Sequence, residues 1–150
     1  MHIIVCLDEQ KGMMFNRRRQ SRDKKVREDM LSLIDGKLWV SPYTARQFAS
    51  EEQERLEVSE QFLSLAQQGE FCFVEEQDVL PYVEKIEDMI VYYWKRHYPA
   101  DMFFTVNLEE FELQESIPLV GNSHPEMIRE RYQKKLVETE IMSEDSNLVE

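Results

Sequence analysis

The residue types best suited to chemistry in this chain are concentrated in one basic run. Between Lys11 and Arg27 there are eight lysines or arginines and a single acid, Asp23. Within that run Asn16, Arg17, Arg18, Arg19, Arg22 and Asp23 form the candidate ligand-binding set. Guanidinium groups present forked donors that match the oxygens of a phosphate or carboxylate. A lone carboxylate among so many cations is held ionised, so Asp23 would orient a ligand rather than serve as a general acid. The competing reading is a solvated loop whose arginines pair with the chain's own acids.

A second cluster runs from Tyr92 to Asp101, Tyr-Tyr-Trp-Lys-Arg-His-Tyr-Pro-Ala-Asp. In a strand, Tyr92 and Trp94 share one face and Tyr93 and Lys95 the other. Aromatics beside cations suit stacking on a flat ring. Trp94 and His97 therefore join the ligand-binding candidates, and His97 is the histidine placed for proton transfer near neutral pH. The alternative is a strand end whose aromatics serve the core, with His97 exposed. His124, in a cap-like stretch, reads as structural. The three histidines lie far apart, and Cys6 and Cys72 each sit in an apolar run, as buried free thiols do. No metal site is expected, because zinc needs closely spaced ligands. There is no glycine-rich phosphate loop and no nucleophile elbow, and no cofactor is expected.

These residues need elements to position them. His2–Leu7 is continuously apolar and reads as a central strand buried on both faces. A turn at Asp8–Gly12 leads into the basic loop. Ser21 is the expected N-cap of a helix in which Val26, Met30, Leu31, Leu33 and Ile34 give an approximate 3–4 spacing, stopping at Asp35-Gly36. Lys37–Val40 is a strand, Thr44–Phe48 a short helix extended by 50–57, and Phe62 and Leu65 anchor another helix. Glu70–Val74 is a strand, and Gln77–Lys85 a short helix with Val79, Leu80 and Val83 inward. Ile86–Trp94 is a strand of strong β preference. Short strands follow at Met102–Val106 and Phe111–Leu113. For 125–136, Ser123-His-Pro-Glu126 has capping-box spacing and favours a helix, with a closing strand over 127–132 as the alternative.

The 150 residues suit one domain, assigned to 1–137, with a disordered acidic tail over 138–150. The net charge is -12. The basic run contributes +7, so the remainder carries -19. Such a chain is a poor general binder of nucleic acid, although a local basic patch can hold a small anionic or nucleotide-like ligand. No stretch approaches the length of a membrane span and no leader is visible, so a cytoplasmic protein without membrane contact is expected.

The alternation of strands and helices argues for an α/β fold, a mixed β-sheet flanked by helices. The order of segments resembles the dihydrofolate reductase family over most of the chain. Ile3–Asp8 with Gly12-Met-Met resembles that family's first strand and following loop. Asp23 falls near the acid that binds the pteridine. Lys37–Phe48 is similar to the second strand, loop and short helix. Phe71–Val74 with Asp78–Lys85 is similar to the strand and helix beside the cofactor phosphates, and Asp101-Met-Phe-Phe104 to an Asp-Thr-x-Phe element. Where the family carries a Gly-Gly pair for close approach of the pyrophosphate, this chain reads Glu75-Glu76-Gln77. The resemblance therefore implies the fold with a reduced cofactor side. Phe15–Asp23 and Trp94–Asp101 are also similar to stretches in a group of short bacterial proteins, some labelled ribonuclease Z; the His-x-His-x-Asp-His motif of those zinc nucleases is absent. Three functions follow: a non-reductase that binds a small anionic or heteroaromatic ligand or a partner at 16–23; an enzyme, either a divergent reductase or a metal-free nuclease; or an interaction protein, such as a homodimer.

Overall fold

The computed structural model describes residues 1–135. The boundary at 137 and the tail 138–150 lie outside the described residues. A seven-stranded sheet forms the centre, in the order β5-β4-β6-β1-β7-β10-β9. Its strands are β1 (His2–Leu7), β4 (Leu38–Val40), β5 (Leu56–Val58), β6 (Phe71–Phe73), β7 (Asp88–Trp94), β9 (Phe111–Leu119) and β10 (Met127–Lys134). The first five in that order run parallel. β10 and β9 close the sheet antiparallel to β7. The expected mixed sheet with flanking helices is what forms.

The continuous apolar run of β1 is explained by its place between β6 and β7, where both faces are covered. Ile3, Val5 and Leu7 face one core with Phe62, Met89, Val91 and Phe111. Ile4 faces the other with Val26, Met30, Leu31, Ile90, Tyr92 and Trp94. That second layer is supplied by α1 (Lys24–Ser32). Two shorter helices, α2 (Pro42–Ala45) and α3 (Phe62–Leu65), follow β4 and β5.

Several local expectations change. The region 127–134 is a strand, because β10 finds partners on both sides, β7 and β9. Cross-strand pairing outweighs the local cap signature there. Asp23, not Ser21, caps α1, accepting from the backbone N–H of Lys25 and Val26. The helix ends at Ser32, short of Gly36. β5 arises within a stretch expected to be helical. Leu63 is buried where Leu65 was expected, and Leu80 is exposed. Cys72 is buried, Cys6 only partly so, and they face opposite layers.

The first part of the basic run is not a loop. It is a hairpin of β2 (Gly12–Phe15) and β3 (Arg18–Arg19), joined in a small second sheet to β8 (Met102–Phe103). Asn16 and Arg17 occupy its two-residue turn with φ of 52° and 60°. Two consecutive left-handed residues match a type I′ turn, for which Asn is well suited and Arg is not. Asp8 anchors the hairpin base: its carboxylate accepts from the N–H of Gln10, Gly12 and Tyr98 and from Gln20 Nε2.

Candidate functional site

The C-terminal ends of parallel strands are where α/β sheets take their ligands. Here the ends of β1, β6 and β7, the start of α1 and strand β3 enclose a small cavity. Its walls include Cys6, Arg19, Gln20, Asp23, Arg27, Gln47, Glu75 and Trp94, and its volume is about 20 Å³. Of the candidates read from the sequence, Arg19, Asp23 and Trp94 come together there. Asn16, Arg17 and Arg18 are exposed at the hairpin tip, Arg22 is exposed before α1, and His97 is exposed in the loop after β7.

Arg19 owes its inward turn to Glu75. Its Nε and Nη2 donate to the two carboxylate oxygens at 2.9 and 3.1 Å, a fork-on-fork pair. The guanidinium also lies 4.3 Å from the centre of the Tyr43 ring, and the Tyr43 hydroxyl accepts from the Arg19 N–H. Burial alone would lower the Arg19 pKa, but the bonds from Glu75 reverse this and raise it. Hence one base of the run is committed to the turn after β6.

Asp23 is only 3 % exposed and is a structural junction. Besides capping α1, it accepts from the N–H of Asn122 and Ser123, from the Ser123 hydroxyl and from His124 Nδ1. Burial pushes its pKa up, but the backbone bonds from Asn122 and Ser123, with His124, hold the carboxyl below its usual value. The direction expected from sequence is right, and its cause is backbone N–H groups rather than arginines. Gly121 permits this approach: a Cβ there would stand 2.5 Å from Asp23 Oδ2. His124 is buried, stacks on Trp94 with ring centres 4.3 Å apart, and pairs its Nε2 with the Tyr98 hydroxyl at 2.7 Å. Trp94 is thus a wall of the cavity backed by His124. Burial, then Glu75 and Asp23, push the Cys6 thiol well up, so it stays neutral.

Beyond the Arg19–Tyr43 contact lies a different region, an open groove of about 400 Å³ walled by Met14, Tyr43 and Met102. Its charges are Glu60, Glu76 and Asp101 against Arg17 alone. The Thr44 hydroxyl donates to Glu76. Burial, together with Glu75, raises the Glu76 pKa despite the bonds from Ser41 and Thr44.

Sequence reasoning missed Gln20 and Gln47 as cavity walls. It included Arg27 in the basic run without separating it from the other bases. Only the charge of Arg27 was a signal; Gln47 carried none. No group of three or more potential metal ligands clusters among the described residues, and none of the described helices is long and apolar enough to cross a membrane.

No protein-family model matches the sequence, and no curated protein is a significant match to it. Among solved structures, the chain is similar to a dihydrofolate reductase from Enterococcus faecalis, solved with NADP(H) and RAB-propyl. The TM-score is 0.63 at 14% identity, over 90% of this chain and 96% of that one. The chain therefore has a dihydrofolate reductase-like fold, over nearly its whole length.

Proposed function

We propose that this protein binds a small anionic or heteroaromatic ligand at the C-terminal edge of its sheet, beneath the basic hairpin, and is not a working reductase. The observation that carries this reading is the turn after β6. Glu75 and Glu76 stand where the resemblance would place a dinucleotide pyrophosphate, with Glu75 clamping Arg19 and Glu76 accepting from Thr44. Glu75 is neutralised by Arg19, so Glu76 is the carboxylate at that point that repels a polyphosphate, and both glutamate side chains occupy the space of close approach. The neighbouring groove adds Glu60 and Asp101 to the same side of the balance.

The hairpin, with Asn16, Arg17 and Arg18 exposed at its tip and Arg19 and Asp23 beneath, supplies both an attractive rim and an ordered wall. A thermal-shift panel of NADPH, folates, nucleotides and short RNA tests the reading. Stabilisation by an anionic or heteroaromatic ligand, weakened in Arg17→Ala/Arg18→Ala, supports it. Stabilisation by NADPH at sub-millimolar concentration overturns it. No response to any ligand, with a dimer in sedimentation, favours the interaction-protein alternative; cleavage of the RNA favours the nuclease.

A further inference from the structure

Five buried side-chain polar atoms have no hydrogen-bond partner among the described residues: Gln20 Oε1, Arg27 Nε, Arg27 Nη1, Trp39 Nε1 and Gln47 Nε2. All but the Trp39 atom belong to residues that wall the one 20 Å³ cavity. Buried polar groups are almost always satisfied, so a concentration of orphans at one cavity signals a missing occupant. Gln47 is only 6 % exposed, and its amide is held between α2 and the cavity, with its backbone N–H bonded to the Thr44 carbonyl. Arg27, one turn into α1, comes from a separate element. Three of the four orphans are donors, and one of the residues bears a full positive charge.

The acids nearby do not supply the missing partner. Both oxygens of Glu75 accept from Arg19, and both oxygens of Asp23 accept from the α1 cap and the 122–124 turn. Burial, then repulsion from Arg22, lowers the Arg27 pKa, as expected for a cation without a direct counter-ion. Size narrows the choice. A water needs about 10–15 Å³ of such space, so the cavity admits between one and two oxygen-sized groups. That suits the two oxygens of a carboxylate and is too small for sulfate or a phosphate ester.

We infer that the cavity between α1 and the ends of β6 and β7 binds the carboxylate group of a small monovalent anion through Arg27 and Gln47. Arg27 Nε and Nη1 donate to its oxygens and neutralise its charge, and Gln47 Nε2 donates from the opposite element. This inference rests on the ligand-site reading above and narrows it to its anionic arm, since a heteroaromatic ring exceeds the cavity.

The test is the melting temperature of the full chain in sodium formate, with ionic strength held constant by sodium chloride. The wild type melts higher as formate rises, and the shift saturates. Arg27→Met keeps its fold and no longer responds to formate, because both donors and the positive charge are gone. Gln47→Leu keeps its fold and loses affinity by about tenfold. Arg46→Ala, which removes an exposed neighbouring cation, leaves the response unchanged. A folded wild type that shows no saturating response has a cavity for water only, and that result overturns the inference. So does a response that survives in both Arg27→Met and Gln47→Leu. Binding of NADPH would instead overturn the proposed function while leaving this result to stand by itself.

Discussion

The cavity under α1 and the groove beside Tyr43 are neighbours with opposite character. Arg19 walls the first and Tyr43 the second, and the two side chains stack on each other. The cavity is small, largely enclosed and lined by unpartnered donors; the groove is about twenty times larger by the volumes of 400 and 20 Å³, open, and rich in carboxylates. On the proposed reading, the same edge of the same sheet offers one site for an anion and one that rejects it. The dividing element is the hairpin strand β3, held down by Glu75. In this chain that edge is divided by one ion pair, Arg19 with Glu75.

Breaking that pair should have the largest effect. Arg19→Met leaves the Glu75 carboxylate buried and unpaired, and should cost about 3 kcal/mol in urea unfolding. The double variant Arg19→Met/Glu75→Leu should recover most of the loss, which a double-mutant cycle measures. If the single variants cost less than about 0.5 kcal/mol, the pair behaves as a surface contact and the partition is not fixed by it.

Asp23 comes next. Asp23→Asn keeps an acceptor for the helix cap but loses charge-assisted bonds from Ser123 and His124, for about 2 kcal/mol. Its pKa is depressed in the fold, so its stabilisation is present above the ordinary value of 3.8 and is lost as pH falls through the lower folded value. The Asn variant should therefore show a flatter acid limb in a stability–pH curve. A wild-type curve already flat below pH 4 would contradict the role given to the 122–124 turn.

On the groove side the sign reverses. The pKa of Glu76 is raised, so its ionisation costs stability as pH rises from its ordinary 4.5 through the higher folded value. Glu76→Gln should melt about 1 °C higher at pH 7, and the gain should vanish below pH 4.5. An effect of similar, small size is expected at the hairpin tip. Arg17→Gly relieves a left-handed φ of 60° and should stabilise by about 0.5 kcal/mol, while weakening anion attraction to the rim.

Much of the fold was legible in the sequence. The two-sided apolar run of β1, the facing residues Val26, Met30 and Leu31 of α1, and the β-rich Met89–Trp94 all announce themselves by period and composition. What was not legible depends on distant partners. β10 carries a helix-like start at Ser123–Glu126, and only its ladders to β7 and β9 decide for a strand. Ser123 itself binds Asp23, a hundred residues away, rather than capping a helix of its own. The basic run was visible as a site, but charge alone could not say which base turns inward. Glu75 selects Arg19, and helix phase selects Arg27, while Asn16, Arg17, Arg18 and His97 stay in solvent. Gln47 left no trace in the sequence, since an uncharged amide gains significance only when it is buried without a partner.

The contrast between cavity and groove is tested most directly by mapping amide and side-chain N–H shifts in a ¹⁵N spectrum as formate is added. The account predicts shifts at Gln47 Nε2, Arg27 Nε and the Trp94 indole, with the backbone of Tyr43, Glu76 and Asp101 unmoved. Shifts confined to the groove, or absent from Gln47 and Arg27 while the groove responds, would contradict it.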